Sequence, residues 1–389
     1  PLYVNELKTI QKHNLRPTKP LFSLMNIYRL QIRSTLFQIQ YNKLTFIKGR
    51  YNAENYMLKK TLTVAGIDIG GANIKYCQSD GYALNTIFPL WKKKSSLPAI
   101  LEKIIPSKKI RALAITMTGE LCDCFETKTE GVRYILNSIP EKQLTPLVWT
   151  TNQNFIPLKD AIQNPTICAA SNWLGLASFI AKQHPENFGL SIDIGSTTTD
   201  ITSIDMGNPN PQGITDTQRL KYGELVYTGM KRTPIASLLG SKYAQEFFAT
   251  IADAHLLVNN LKEDEADTET ADGRPFTKTN STRRIAKMLC ADQNEISMSV
   301  IIKTSELAIK TQIKWITVAL EKHLQRKGQE PKWISISGSG ETLGKMIVES
   351  FSWKSKPRIH SFSNAFGIEN SSAACAYSIM KLAGNSHEL

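Results

Sequence analysis

Two short stretches, IDIGGANIK and IDIGSTTTD, constrain this 389-residue chain more than any other feature. In the first, an apolar strand ends at Asp68, turns at Gly70-Gly71 and returns as a second strand carrying Lys75. In the second, the same happens around Asp193, Gly195 and Ser196, with Asp200 in the returning strand. One Asp-x-Gly turn is an ordinary hairpin. Two copies, each after a buried strand, point to phosphate chemistry. Glycines let backbone N–H groups approach phosphate oxygens as an anion nest, and Ser196, Thr197 and Thr198 add hydroxyl donors. A carboxylate beside such a nest repels phosphate unless a cation lies between them. Asp68, Asp193 and Asp200 are therefore expected around Mg²⁺, held through water because Mg²⁺ dehydrates reluctantly. Lys75 adds positive charge to the first turn.

A third element is ISISGSGE, ending at Glu341. A strand followed by Gly338 and Gly340 and then a helical pattern can cradle a phosphate or nucleotide at a helix N-terminus.

Around these elements, strand-like and helix-like runs alternate from Leu62 onward, which argues an α/β protein with buried sheets. The expected organisation is a basic extension over 1–56 that is not part of the fold and reads as a mis-assigned start. It is followed by lobe I over 57–187, lobe II over 188–355, and a closing segment over 356–389 with a C-terminal helix. KYAQEFFATIADAHLLVNNL reads as one helix, the six acids of 263–272 as a solvated loop, and Glu295 to Arg326 as one long amphipathic helix or two. Within the long helix, Trp315 is expected on the core face, and His255 reads as a core histidine.

The net charge of +13 is concentrated in the first sixty residues, which hold eleven Lys or Arg against two acids. The remainder is nearly balanced, so a basic nucleic-acid groove is not supported. No apolar run approaches the roughly 20 residues of a membrane span. Six cysteines make no disulfide framework, and Cys122-x-Cys124 lacks zinc spacing. A reducing cytoplasm is the expected compartment, with no nucleic-acid or membrane partner.

The three glycine elements, in their order and separation, resemble the phosphate-1, phosphate-2 and adenosine motifs of the actin–hexokinase–Hsp70 superfamily. DIGSTTTD is similar to its hydantoinase/oxoprolinase branch. TMTGELCDCF (116–125), Asn172-Trp173, GELVYTGMKRTP (223–234), FATIADAH (248–255), TADGRPFTK (270–278) and RRIAKMLCAD (283–292) resemble one subfamily. This is the tetrahydromethanopterin-linked C1 transfer pathway family of the methanofuran-precursor synthase type. The likeness runs from about Val64 to about Ala383.

The resemblance implies a two-lobed actin/hexokinase/Hsp70-like (ribonuclease H-like) fold with a central cleft. It also implies an alkyl transfer, in which an aminomethyl-furanylmethyl diphosphate is joined through its methylene carbon to the phenol oxygen of a tyramine- or tyrosine-type acceptor. Mg²⁺ is the expected cofactor, and ATP is not expected. A phenol has a pKa of about 10, so ionising it at pH 7 costs roughly 4 kcal/mol, and a base is needed. Candidates are Glu120, Asp123 and Glu224. Arg232 and Arg274, inside the matched motifs, are expected to bind diphosphate or an acceptor carboxylate. Two other readings stay open. One is an ATP-using kinase or oxoprolinase-like amidohydrolase with Asp193 as base. The other is a non-catalytic nucleotide-binding partner in C1 metabolism.

Overall fold

The computed structural model describes residues 63–106, 110–140 and 144–385. The expected basic extension, 1–56, lies outside them. Among the described residues no helix is long and apolar enough to cross a membrane.

Two sheets carry the fold. The first contains β1 (Val64–Ile69), β2 (Asn73–Gln78), β3 (Ala83–Ile87), β4 (Ala112–Met117), β5 (Thr145–Trp149) and β6 (Phe155–Pro157), in the order β3-β2-β1-β4-β5-β6. The second contains β7 (Phe188–Ile194), β8 (Thr199–Asp205), β10 (Leu225–Val226), β11 (Trp333–Ser337) and β12 (Arg358–Ser361), in the order β10-β8-β7-β11-β12, with the two-residue β9 (Asn208–Pro209) beside β8. With β9 and β6 set aside, both sheets run third-second-first-fourth-fifth. In each, the first two strands form an antiparallel hairpin and the fourth lies parallel to the first. The repeated topology is that of the two-lobed ribonuclease H-like fold of actin and hexokinase.

The local sequences explain the strands. β1, β4, β7 and β11 are buried along their whole length, as central strands covered on both faces require. The helices used below are α1 (Lys128–Asn137), α2 (Asn172–Gln183), α3 (Asp216–Tyr222), α4 (Ile251–Leu257), α5 (Lys278–Met288), α6 (Met298–Lys327), α7 (Glu341–Ser350) and α8 (Ala374–Gly384). The closing helix α8 folds back onto β1 of the first sheet. A Cβ on Gly66 would lie 2.0 Å from the Ala376 carbonyl oxygen, so only glycine admits that approach.

Three expectations change. The helix read across residues 242–261 is confined to α4, because Thr250 and Asp253 form a capping box that starts it at Ile251. Trp315 is 37% exposed, and the buried stripe of α6 runs instead through Ala308, Gln312, Ile316 and Leu320. The acidic 263–272 stretch is only partly solvated: Asp267 is buried against Lys231 at 3.0 Å, and Asp272 receives the Arg284 guanidinium at 2.9 Å.

Candidate functional site

The two hairpins are built alike at their tips. Gly70 N–H donates to Asn73 O at 2.9 Å, and Gly195 N–H donates to Thr198 O at 2.9 Å. The register places Asp68 opposite Lys75 and Asp193 opposite Asp200. Among the described residues, the N–H groups of Gly71 and Ala72, and of Ser196 and Thr197, find no acceptor. Each turn thus presents adjacent free donors, as an anion nest requires.

The turns face one another. Lys75 Nζ lies 3.6 Å from Asp68 Oδ2. Burial works against the Lys75 charge, but Asp68 and, from the other lobe, Asp193 hold its pKa above the ordinary lysine value. Burial raises the Asp68 pKa, opposed by Lys75 and by the Asn172 amide. Burial likewise pushes Asp193 up to about 6, opposed by Lys75 and by Ser337, whose hydroxyl donates to Asp193 Oδ1 at 2.6 Å. Cys375, at the start of α8, places its sulfur 4.0 Å from Asp193 Oδ2 and 3.6 Å from Asn172 Nδ2.

The carboxylates do not act as one ligand set. Among the described residues no three His, Cys, Asp or Glu side chains form a group that could hold an ion. Asp200 Oδ1 is taken by Arg219 at 2.6 Å, and Asp193 faces Ser337 and Cys375. The expectation of Asp68, Asp193 and Asp200 as joint ligands is corrected accordingly. Asp68 Oδ1 is different, being buried without a hydrogen-bond partner in the protein. An orphaned carboxylate oxygen just before the first glycine turn has the chemistry to hold a hydrated Mg²⁺.

The third glycine element lies against the second turn. Gly338 adopts φ +88°, and its Cβ would fall 2.3 Å from the Ile194 carbonyl oxygen. Gly340 N–H donates to that same oxygen at 2.8 Å, and α7 begins at the next residue. Glu341 does not face the turn. Its carboxylate accepts from Ser371 Oγ at 3.0 Å, from Ser363 N–H at 3.1 Å and from the Ser361 hydroxyl.

The candidate bases separate sharply. Glu120 is 2% exposed, its Oε2 has no partner, and burial lifts its pKa to about 7, helped by the nearby Asp216 of lobe II. Asp123 is solvent-exposed. Glu224 is buried, with its two oxygens accepting the N–H groups of Gln212 at 2.6 Å and Gly213 at 2.8 Å. A carboxylate so engaged clamps a loop, which removes Glu224 from the candidate bases.

The cations separate too. Arg232 packs its guanidinium 4.5 Å from the ring centroid of Trp91 in lobe I. Arg274 is 57% exposed and faces Asp272 at 3.9 Å, so it is not brought to either turn, contrary to expectation. Arg219, absent from the expected site, is fully buried. It pairs with Asp200 at 2.6 Å and Asp216 at 3.4 Å and stacks 3.9 Å from the ring centroid of Trp173 on α2. Cys122 and Cys124 lie in a turn, not a strand, and all six cysteines are free.

Twin sheets of repeated topology, each tipped by a glycine turn, define a two-lobed, actin-type fold. A family model described as hydantoinase/oxoprolinase matches residues 111–369, and the chain belongs to that family. A curated relative from Methanocaldococcus jannaschii, named (4-{4-[2-(gamma-L-glutamylamino)ethyl]phenoxymethyl}furan-2-yl)methanamine synthase, is 30% identical over 333 residues, covering 82% of this chain and 97% of the relative. A synthase of the same name from Methanococcus vannielii is 32% identical over 217 residues, 54% of this chain and 96% of the relative. These relatives are enzymes, and so is this chain. Among solved structures, nucleotide-free acetone carboxylase aligns at 11% identity with a TM-score of 0.49, covering 82% of this chain and 70% of that one.

Proposed function

We propose that this enzyme makes an aryl ether by joining an aminomethyl-furanylmethyl diphosphate to the phenol oxygen of a tyramine-type acceptor, releasing diphosphate. The relatives' printed name describes a phenoxymethyl-furan bearing a γ-glutamylaminoethyl chain, so a γ-glutamylated tyramine is the favoured acceptor. The bond that forms joins the methylene carbon to the phenol oxygen. The bond that breaks joins the same carbon to the diphosphate oxygen, and the phenol proton passes to a carboxylate.

The observation that carries this reading is Glu120. A buried carboxyl with one unpartnered oxygen and a pKa of about 7 is ionised to a useful extent near neutrality. It also narrows the gap to a phenol of pKa about 10. The free N–H groups of the two turns would bind the diphosphate oxygens, and Lys75 would supply fixed positive charge where negative charge grows on the leaving group. Asp68, through its unpartnered oxygen, would hold Mg²⁺ by way of water, and the ion would add charge neutralisation there. Arg232 and Trp91 would close over the bound diphosphate from opposite lobes.

The test is to incubate purified protein and Mg²⁺ with both synthetic substrates and follow the coupled ether by mass spectrometry and diphosphate by a coupled assay. Ether and diphosphate should appear in equal amounts without ATP. Turnover only with ATP would replace this reading with the kinase or amidohydrolase one.

A further inference from the structure

The strap Thr228–Arg232 carries much of the second phosphate turn. Met230 N–H donates to Gly195 O at 2.9 Å, while Lys231 and Arg232 N–H donate to Ser196 O at 2.9 and 3.0 Å. Gly229 is pressed so tightly on the turn that a Cβ would lie 2.6 Å from Gly195 O and 2.7 Å from Thr197 N. The same strap carries Arg232 across to Trp91. Whatever fixes the strap therefore fixes the aim of the second nest.

Its support comes from a buried side chain on α6. Gln312 is fully buried, and its Nε2 donates to Gly229 O at 2.7 Å and to Thr228 Oγ1 at 3.0 Å. The carbonyl of Gly229 only accepts, so the amide orientation is determined. Gln312 Oε1 must then face a donor, and it lies 2.9 Å from Nε2 of His255 on α4. His255 Nδ1 in turn lies 3.1 Å from the amide nitrogen of Asn260, which makes Nδ1 the acceptor and Nε2–H the donor. Burial depresses the His255 pKa and keeps the ring neutral, as this tautomer requires. The Gln312 amide is oriented at both ends, and the chain of bonds runs from Asn260 through His255 to the strap, whose next three N–H groups hold the second turn.

We propose that Gln312, oriented by His255, is the positioning residue that sets the second phosphate turn and thereby the affinity for the diphosphate substrate. The role in diphosphate binding rests on the function proposed above; the effect on the strap does not. Gln312→Met keeps the volume and removes the amide, leaving Gly229 O without its donor.

Two measurements test the inference. The first is titration of inorganic diphosphate with Mg²⁺, together with KM for each substrate. Diphosphate affinity should weaken about tenfold and KM for the diphosphate substrate should rise in parallel, while KM for the phenolic acceptor stays within about twofold. The second is hydrogen exchange at the amides of Met230, Lys231 and Arg232, which should quicken about tenfold without any ligand. Unchanged exchange at these amides, or equal loss for both substrates, would overturn the proposal. If Gln312→Met does not fold, Thr228→Val removes one of the two acceptors of the amide, together with the Thr228–Thr233 hydroxyl contact at 2.8 Å, and should quicken the same amides; if it leaves them unchanged the proposal fails. Should the wild-type protein bind no diphosphate, the proposed reaction falls, and the exchange rates alone decide the role of Gln312.

Discussion

Lys75 and Asp200 occupy the same place on the two hairpins, each directly across the ladder from the aspartate that precedes the turn. The copies have opposite charge. Lys75 neutralises Asp68 locally, whereas Asp200 adds a carboxylate beside Asp193 and is itself neutralised by Arg219. The first hairpin therefore supplies the only lysine whose charge is coupled to both turn aspartates among the described residues.

Lys75→Met should lower kcat/KM by about 100-fold or more, because a fixed charge facing the leaving group is lost. It should also leave Asp68 and Asp193 buried without their counter-charge, costing about 2–4 kcal/mol of stability at pH 8. At pH 5 the deficit should shrink, since protonation removes the repulsion. Chemical denaturation at the two pH values, with steady-state kinetics, reads both effects. Equal deficits at pH 5 and pH 8 would count against the electrostatic account.

Glu120 gives the pH dependence. Its active form as a base is the carboxylate, so kcat/KM should rise with pH through about 7 and level off above it. Glu120→Gln should abolish that limb and cut the rate at pH 8 by about 10²–10⁴-fold. The stability sign runs the other way. The folded pKa, about 7, exceeds the reference value of 4.5, so the folded state binds more protons than the unfolded state between those values. Stability therefore falls as pH rises through this window. Glu120→Gln removes that loss and should be more stable than wild type by roughly 2–3 kcal/mol at pH 8, with little difference at pH 4. Thermal melts across the range decide it.

The sequence made the two hairpins legible because an apolar run ending in Asp-x-Gly is local information, and both appear as antiparallel strand pairs. Glu120, a candidate base, is read from equally local information, since it follows a buried strand. Other parts of the site depend on chain segments far apart. Cys375 approaches Asp193 only because α8 folds back onto the first sheet, and nothing in a run of small residues announces that. Arg219 reads as one more cation on a short polar helix until Trp173 and Asp200 surround it. Glu224 and Arg274 erred in the opposite direction. Both sit in matched motifs, yet Glu224 is occupied by backbone N–H groups and Arg274 faces the acidic loop.

Arg219 should prove structural first. It is buried between Asp200, Asp216 and the face of Trp173. Arg219→Met keeps much of the apolar contact with the indole but strands two carboxylates, one of them beside Glu120. The expected cost is about 3–5 kcal/mol. Because the Arg219 guanidinium lies against the Trp173 ring, the indole fluorescence should change on substitution even where the protein remains folded. A loss below about 1 kcal/mol with unchanged emission would mean that the stacked guanidinium does not hold these elements together.

Gly338 separates backbone strain from the shape of the site. Its φ of +88° disfavours any side chain, and a Cβ would strike the Ile194 carbonyl oxygen at 2.3 Å and Asp193 Oδ1 at 2.8 Å. Gly240 is the internal control, with φ +70° and nothing within 4 Å of its Cβ position. Gly240→Ala should therefore cost only the conformational penalty of its φ +70°, ψ −165° backbone, about 1–3 kcal/mol. Gly338→Ala carries that penalty and must also push the glycine turn away from the end of β7, for a total of about 3 kcal/mol or more. The displacement should break the Ser337–Asp193 hydrogen bond, 2.6 Å in the intact site. Diphosphate binding should weaken in Gly338→Ala and remain normal in Gly240→Ala. Calorimetric titration of both variants with inorganic diphosphate and Mg²⁺ makes the comparison, and matching affinities would remove the third glycine element from the site.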